Sequence, residues 1–139
     1  MGKRRKSREL TLQVLYQLDV TPQDPPRVLA QFQQHFSPDE EKDEFLESLV
    51  LGVLKHSEEI DRLIERYSAN WRLDRMSIID RNLLRMATYE LLYCDDIPPK
   101  VTLNEAIDLA KQYGSEDSGS FINGILDGIQ KELVKVNAK

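Results

Sequence analysis

Cysteine is almost missing from this chain. Cys94 stands alone, so no internal disulfide can form, and the two histidines, His35 and His56, do not supply the paired spacing of a structural zinc site. No apolar run approaches the ~18 residues that cross a bilayer, and the basic start leads into Glu9 and a polar-laced segment instead of a signal-peptide core, so a cytoplasmic protein without membrane attachment is expected. Glycine-rich phosphate loops of the P-loop or dinucleotide kind are absent, and neither histidine has the i, i+4 partner that metal chemistry prefers. These absences argue against an enzyme, a cofactor and a metal centre. Cys94, flanked by Asp95 and Asp96, reads as a thiol raised in pKa and as a small packing residue closing an apolar helix. Alternation of period two, the mark of half-buried strands, is almost nowhere to be found, and there is no internal repeat.

What remains is helix. The 139 residues are enough for one domain and, at 40% hydrophobic and 31% charged, for one ordinary core. Apolar residues recur at helical spacing from Leu10 onward, which predicts an all-α fold of about seven helices. The first should run from about Ser7 to Asp19, with Leu10, Val14, Leu15 and Leu18 inward, and should end before Thr21-Pro22. Pro25-Pro26 opens a second, and Ser37-Pro38-Asp39-Glu40 has the form of a capping box for a third. Gly52 there allows close approach of a neighbour. Ser57 is expected to cap a fourth helix carrying Ile60, Leu63, Ile64 and Tyr67, broken at Ser68-Ala69-Asn70, where two subbundles could divide. Ile78 to Tyr93 is apolar nearly all round and predicts the central spine. Thr102 and Glu105 form a second capping-box pattern, Gly114 ends that helix, and a last one runs from Asp117 or Ser118 to Leu133. Residues 1–7 read as a flexible basic arm and 134–139 as a frayed tail.

The net charge of -5 is unevenly spread. Lys3, Arg4, Arg5, Lys6 and Arg8 put +5 on the first eight residues, leaving -10 on the remainder. A cationic arm on an acidic body suits contact with phosphate, and equally a merely solubilising start. Tyr16 follows about two turns later, off the centre of the apolar stripe; it can be a base-stacking ring or a tyrosine at the core boundary. Six arginines, Arg62, Arg66, Arg72, Arg75, Arg81 and Arg85, suggest a second contact surface or simply solvated faces.

Several stretches, in order, resemble the NusB family of bacterial transcription antitermination factors: the Arg-rich start, Arg8-Glu9 with Gln13, Leu15 and Tyr16, the run Leu83 to Leu91, Pro98 to Ala110, and Gly114 to Asp127. The resemblance implies two small helical bundles and a non-catalytic role: binding the boxA single-stranded RNA of ribosomal RNA leader transcripts together with ribosomal protein NusE, within the antitermination complex on RNA polymerase with other Nus factors, and a link to ribosomal RNA maturation. Some members of the family self-associate, so a homodimer is also open. By matching motif positions, the resemblance implies RNA contacts at Lys3, Arg4, Arg5, Lys6, Arg8, Gln13, Tyr16, Asp117, Ser118 and Phe121, and NusE contacts at Asp80, Arg81 and Leu84. Core packing for Phe121, helix capping for Asp117 and an internal place for Leu84 stay open alternatives. Residues 19 to 40 align too variably to receive a site.

Overall fold

The computed structural model describes residues 2–36, 43–68 and 71–137. These form seven α-helices: α1 (Gly2–Val20), α2 (Pro25–Phe36), α3 (Glu44–Lys55), α4 (Ser57–Tyr67), α5 (Ile78–Tyr93), α6 (Pro99–Tyr113) and α7 (Ser118–Asn137), with a 3-10 turn at Leu73–Arg75 before α5. No strand occurs among the described residues. None of the helices is long and apolar enough to cross a membrane.

The spine is α5, capped by Ser77, whose hydroxyl accepts from Asp80 N. It packs against α1 and α3 on one flank and α4, α6 and α7 on the other, while α2 leans on α1. Leu83, Leu84, Met86 and Ala87 of α5 meet Val14 and Leu15 of α1, Leu49 and Val50 of α3, and Leu109, Ile122 and Leu126 of α6 and α7 in one connected core. Gly52 fulfils its expected role: a Cβ there would lie 2.2 Å from the ring of Tyr89 on α5, so the glycine is what lets these two helices close.

Several boundaries differ from the pattern-based expectation. Helix α1 begins at Gly2, not near Ser7, so the basic segment expected as a flexible arm is helical; its arginines find carboxylates far away in sequence, as described below. The cap of α3 is Asp43, whose carboxylate accepts from Leu46 N at 2.9 Å, while the Ser37 to Glu40 box lies outside the described residues. His56, not Ser57, precedes α4, and makes no side-chain cap. The Thr102/Glu105 capping box does not form: α6 starts at Pro99, one turn earlier, and both side chains are turned to partners on other helices. Gly114 ends α6 as expected, and α7 runs on to Asn137, past Leu133.

Candidate nucleic-acid interface

Cations at the N-terminal end of a helix oppose its dipole, and the first turn of α1 holds no acid to balance them. The balance comes from elsewhere. Arg4 pairs with Asp96 at 3.4 Å, and Arg5 with both Glu105 and Asp108 of α6, the latter at 3.0 Å. Arg8 is only 2% exposed. Its Nε and Nη2 donate to the two carboxylate oxygens of Glu90 on α5 at 2.9 and 2.8 Å, and Nη1 reaches Glu105 at 3.3 Å. Thr102 donates to the same Glu90 at 3.1 Å. Burial pulls the Arg8 guanidinium down, but the hydrogen bonds and charge of Glu90 more than offset this and keep it above its ordinary value. The guanidinium groups of Arg4 and Arg8 also lie over the Phe45 ring, at 4.5 and 5.3 Å from its centre.

The helix therefore sorts the basic segment by face, with Arg4 exposed beside the lysines. Arg5 and Arg8 face inward as clamps between α1, α5 and α6, whereas Lys3 and Lys6 are exposed and have no ion pair among the described residues. Lys6 continues at helical spacing into Glu9, Gln13 and Tyr16, all on one outward stripe. Gln13 is exposed and Tyr16 is 41% exposed, so Tyr16 reaches solvent while bordering the apolar side of the helix. It edges a groove of about 390 Å³ shared with Val20, Ile79 of α5 and Tyr113 of α6. The Tyr113 hydroxyl donates to Glu9.

The start of α7 is less available than the sequence suggests. Ser118 is buried, its Oγ accepting from Ser115 N at 2.9 Å, and so lies inside the turn instead of on a binding face. Asp117 is exposed; its carbonyl accepts from Phe121 N, and its carboxylate makes no capping hydrogen bond among the described residues. Phe121 is half-buried against the core and meets Trp71 edge-on, ring centres 6.4 Å apart. Trp71 itself is 52% exposed and did not emerge from the sequence reading, because an aromatic in a break between helices carries no periodic signal. No hydrogen bond, ion pair or ring contact joins this group to the Tyr16 stripe among the described residues.

On α5, Leu84 has no exposed surface and belongs to the core, so a partner cannot reach it in this structure. Arg81 is committed to Asp19 at the end of α1, through Nε at 2.7 Å and Nη2 at 2.9 Å. Asn82 adds a 2.9 Å bond to Asp19, and Arg85 bridges Asp19 at 3.3 Å and Asp61 of α4 at 2.9 Å. Burial pushes the Asp19 carboxyl up, but these hydrogen bonds and charges outweigh it and hold it below its ordinary value. Asp80 is largely buried, and its Oδ1 has no hydrogen-bond partner among the described residues. Of the six arginines expected as a second surface, Arg66 pairs with Glu132 and Arg72 with Asp74, while only Arg62 and Arg75 stand exposed without an ion pair among the described residues. Burial, together with Glu90 and Asp96, pushes the Cys94 thiol up to about 11, which leaves it un-ionised and unreactive near neutrality.

The NusB family model matches residues 5–131. The chain is 50% identical over 135 residues to the transcription antitermination protein NusB of Desulfatibacillum aliphaticivorans, covering 97% of this chain and 94% of that one. Among solved structures, NusB of T. maritima superposes with a TM-score of 0.86 at 42% identity, over 93% of this chain and 91% of the other. A crystal structure of the antitermination factors NusB and NusE in complex with double-stranded RNA gives 0.83 at 30% identity, over 95% and 98% of the two chains. A shared helical order, near-full-length identity and superposition together make this chain a member of the NusB family.

Proposed function

We propose that the chain is a non-catalytic, cytoplasmic transcription antitermination factor that binds boxA RNA of ribosomal RNA leader transcripts together with ribosomal protein NusE, as part of the complex of RNA polymerase with other Nus factors that supports processive transcription and ribosomal RNA maturation. The observation that carries this reading is the outward stripe of α1, where exposed lysines, without an ion pair among the described residues, lead into an amide and an exposed ring. Lysine ammonium groups neutralise phosphates, and an exposed tyrosine offers a stacking platform to an unpaired base. The existence of a NusB–NusE complex with RNA in a similar protein supports the choice of partners.

The geometry narrows the expected contacts. Lys3, Lys6, Gln13 and Tyr16 are the first choice for RNA, with Arg4, Arg5, Asp117 and Phe121 at the margins. Arg8 and Ser118 serve as supports from inside. For NusE, Asp80 and Arg81 remain as the edge of a surface at the start of α5, with Leu84 behind them.

The test is fluorescence anisotropy with boxA RNA and a scrambled control at two salt concentrations, with and without NusE. Selective binding strengthened by NusE is expected; equal, strongly salt-dependent binding of both RNAs would overturn the reading. Replacing Lys3 and Lys6 by alanine should lower affinity for both RNAs and reduce the slope of log affinity against log salt by about 1 per lysine.

A further inference from the structure

A groove runs between α1, the start of α5 and the end of α6, with Tyr16 at its edge. Its walls include two half-exposed tyrosine rings from different helices, Tyr16 at 41% and Tyr113 at 39%. Ile79 and Val20 add apolar surface to the lining, and Gln13 and Glu9 add an amide and a carboxylate. Its volume of about 390 Å³ falls within the ~300–1,000 Å³ in which small planar ligands are held. The Tyr113 hydroxyl donates to Glu9, which restrains the ring and spends part of the capacity of the one acid that lines the groove among the described residues.

We propose that this groove seats one unstacked base of single-stranded RNA against Tyr16 and Tyr113, making Tyr113 a base-binding residue and the groove the point at which the strand is held in register. The inference rests on the RNA-binding reading and adds to it a discrete base site. An aromatic wall with an amide in the lining suits a flat, polar-edged ring. The approach is also charged for a nucleic acid: the stripe that ends in the groove begins at Lys6, one turn before Glu9 and about two turns before Gln13, with Lys3 beyond it. A phosphodiester strand laid along α1 would meet ammonium groups on one side of the seated base. A protein helix docking here would instead need apolar contacts continuing along α1, where Glu9, Gln13 and the lysines stand.

The experiment is a mutant cycle between protein and RNA. Affinity for fluorescein-labelled single-stranded boxA RNA in the presence of NusE is measured for the unmodified chain, Tyr113→Ala and Tyr113→Phe, using the intact RNA and a set of RNAs each with a single abasic nucleotide. Tyr113→Ala should weaken binding about tenfold, and Tyr113→Phe should restore most of it, because the ring carries the stacking. One abasic position should cost the unmodified chain a similar factor and the Tyr113→Ala protein almost nothing. If Tyr113→Ala binds intact RNA as well as the unmodified chain does, or if its loss adds to that of every abasic position, the base site is refuted while the RNA reading survives. If Tyr113→Ala loses NusE but not RNA, the groove is a protein-docking site and the proposal fails. If the unmodified chain binds no RNA at any salt, the RNA reading fails and takes the base site with it.

Discussion

Helix α1 crosses the spine α5 antiparallel and is tied to it by ions near both ends, with opposite polarity. Near its start the cation is on α1 and the anion on α5, in Arg8 with Glu90; near its end the anion is on α1 and the cations on α5, in Asp19 with Arg81 and Arg85. The first pair is sealed from water, its side chains 3% and 2% exposed, whereas the second sits at the rim with 17% exposure on each of Asp19 and Arg81. The difference decides what each can do. A sealed pair costs desolvation that its own geometry must offset, so it is intolerant of losing one member but tolerant of losing both. A rim pair is cheap to break, and solvent can replace either partner.

The largest effect should come from Glu90→Leu. Arg8 would be left buried with only the longer contact to Glu105, and the expected loss is about 3–5 kcal/mol in urea unfolding, with a melting temperature lower by on the order of 10 °C. Adding Arg8→Met should recover most of that loss, since an apolar pair of similar volume replaces the ions; a double variant no more stable than Glu90→Leu would sink the account of the sealed pair. At the rim, Asp19→Asn should cost only about 1–2 kcal/mol at neutral pH. Its pH dependence sharpens the contrast. Because the folded Asp19 carboxyl lies below its ordinary value of 3.8, its contribution is present above that value and is lost as pH falls through the lower folded one. The stability gap between the unmodified chain and Asp19→Asn should therefore close below about pH 4.

The same contrast explains which parts of the molecule could be read in advance. The extent of α5 is written locally in its apolar run, and the structure has it from Ile78 to Tyr93. The sealed cluster is not local. Arg5 and Arg8 meet Glu90, Glu105 and Asp108 from the far side of the chain, so a run of Lys and Arg with no apolar stripe gives no sign that it will be helical. Thr102 and Glu105 carry the spacing of a capping box, but Thr102 donates to Glu90 of α5 and Glu105 accepts from Arg5 and Arg8 of α1, so tertiary pairing overrides the local pattern. For the candidate site, the family motifs named residues of α1, α5 and α7 alike, and only burial separates the outward Lys3, Lys6, Gln13 and Tyr16 from Arg8, Ser118 and Leu84. No motif spacing reports which face a residue takes when its helix begins at Gly2, eight residues before its apolar stripe opens at Leu10.

Trp71, the only tryptophan of the chain, gives the molecule a native optical probe beside Phe121 in the first turn of α7. Half-exposed and resting edge-on against Phe121, its indole emission responds to whatever approaches the start of α7. An RNA that engages α1 alone should leave that emission unchanged, while one that wraps onward to α7 should quench it. The length of strand needed for quenching thus measures, without any label, how far the footprint extends over the surface.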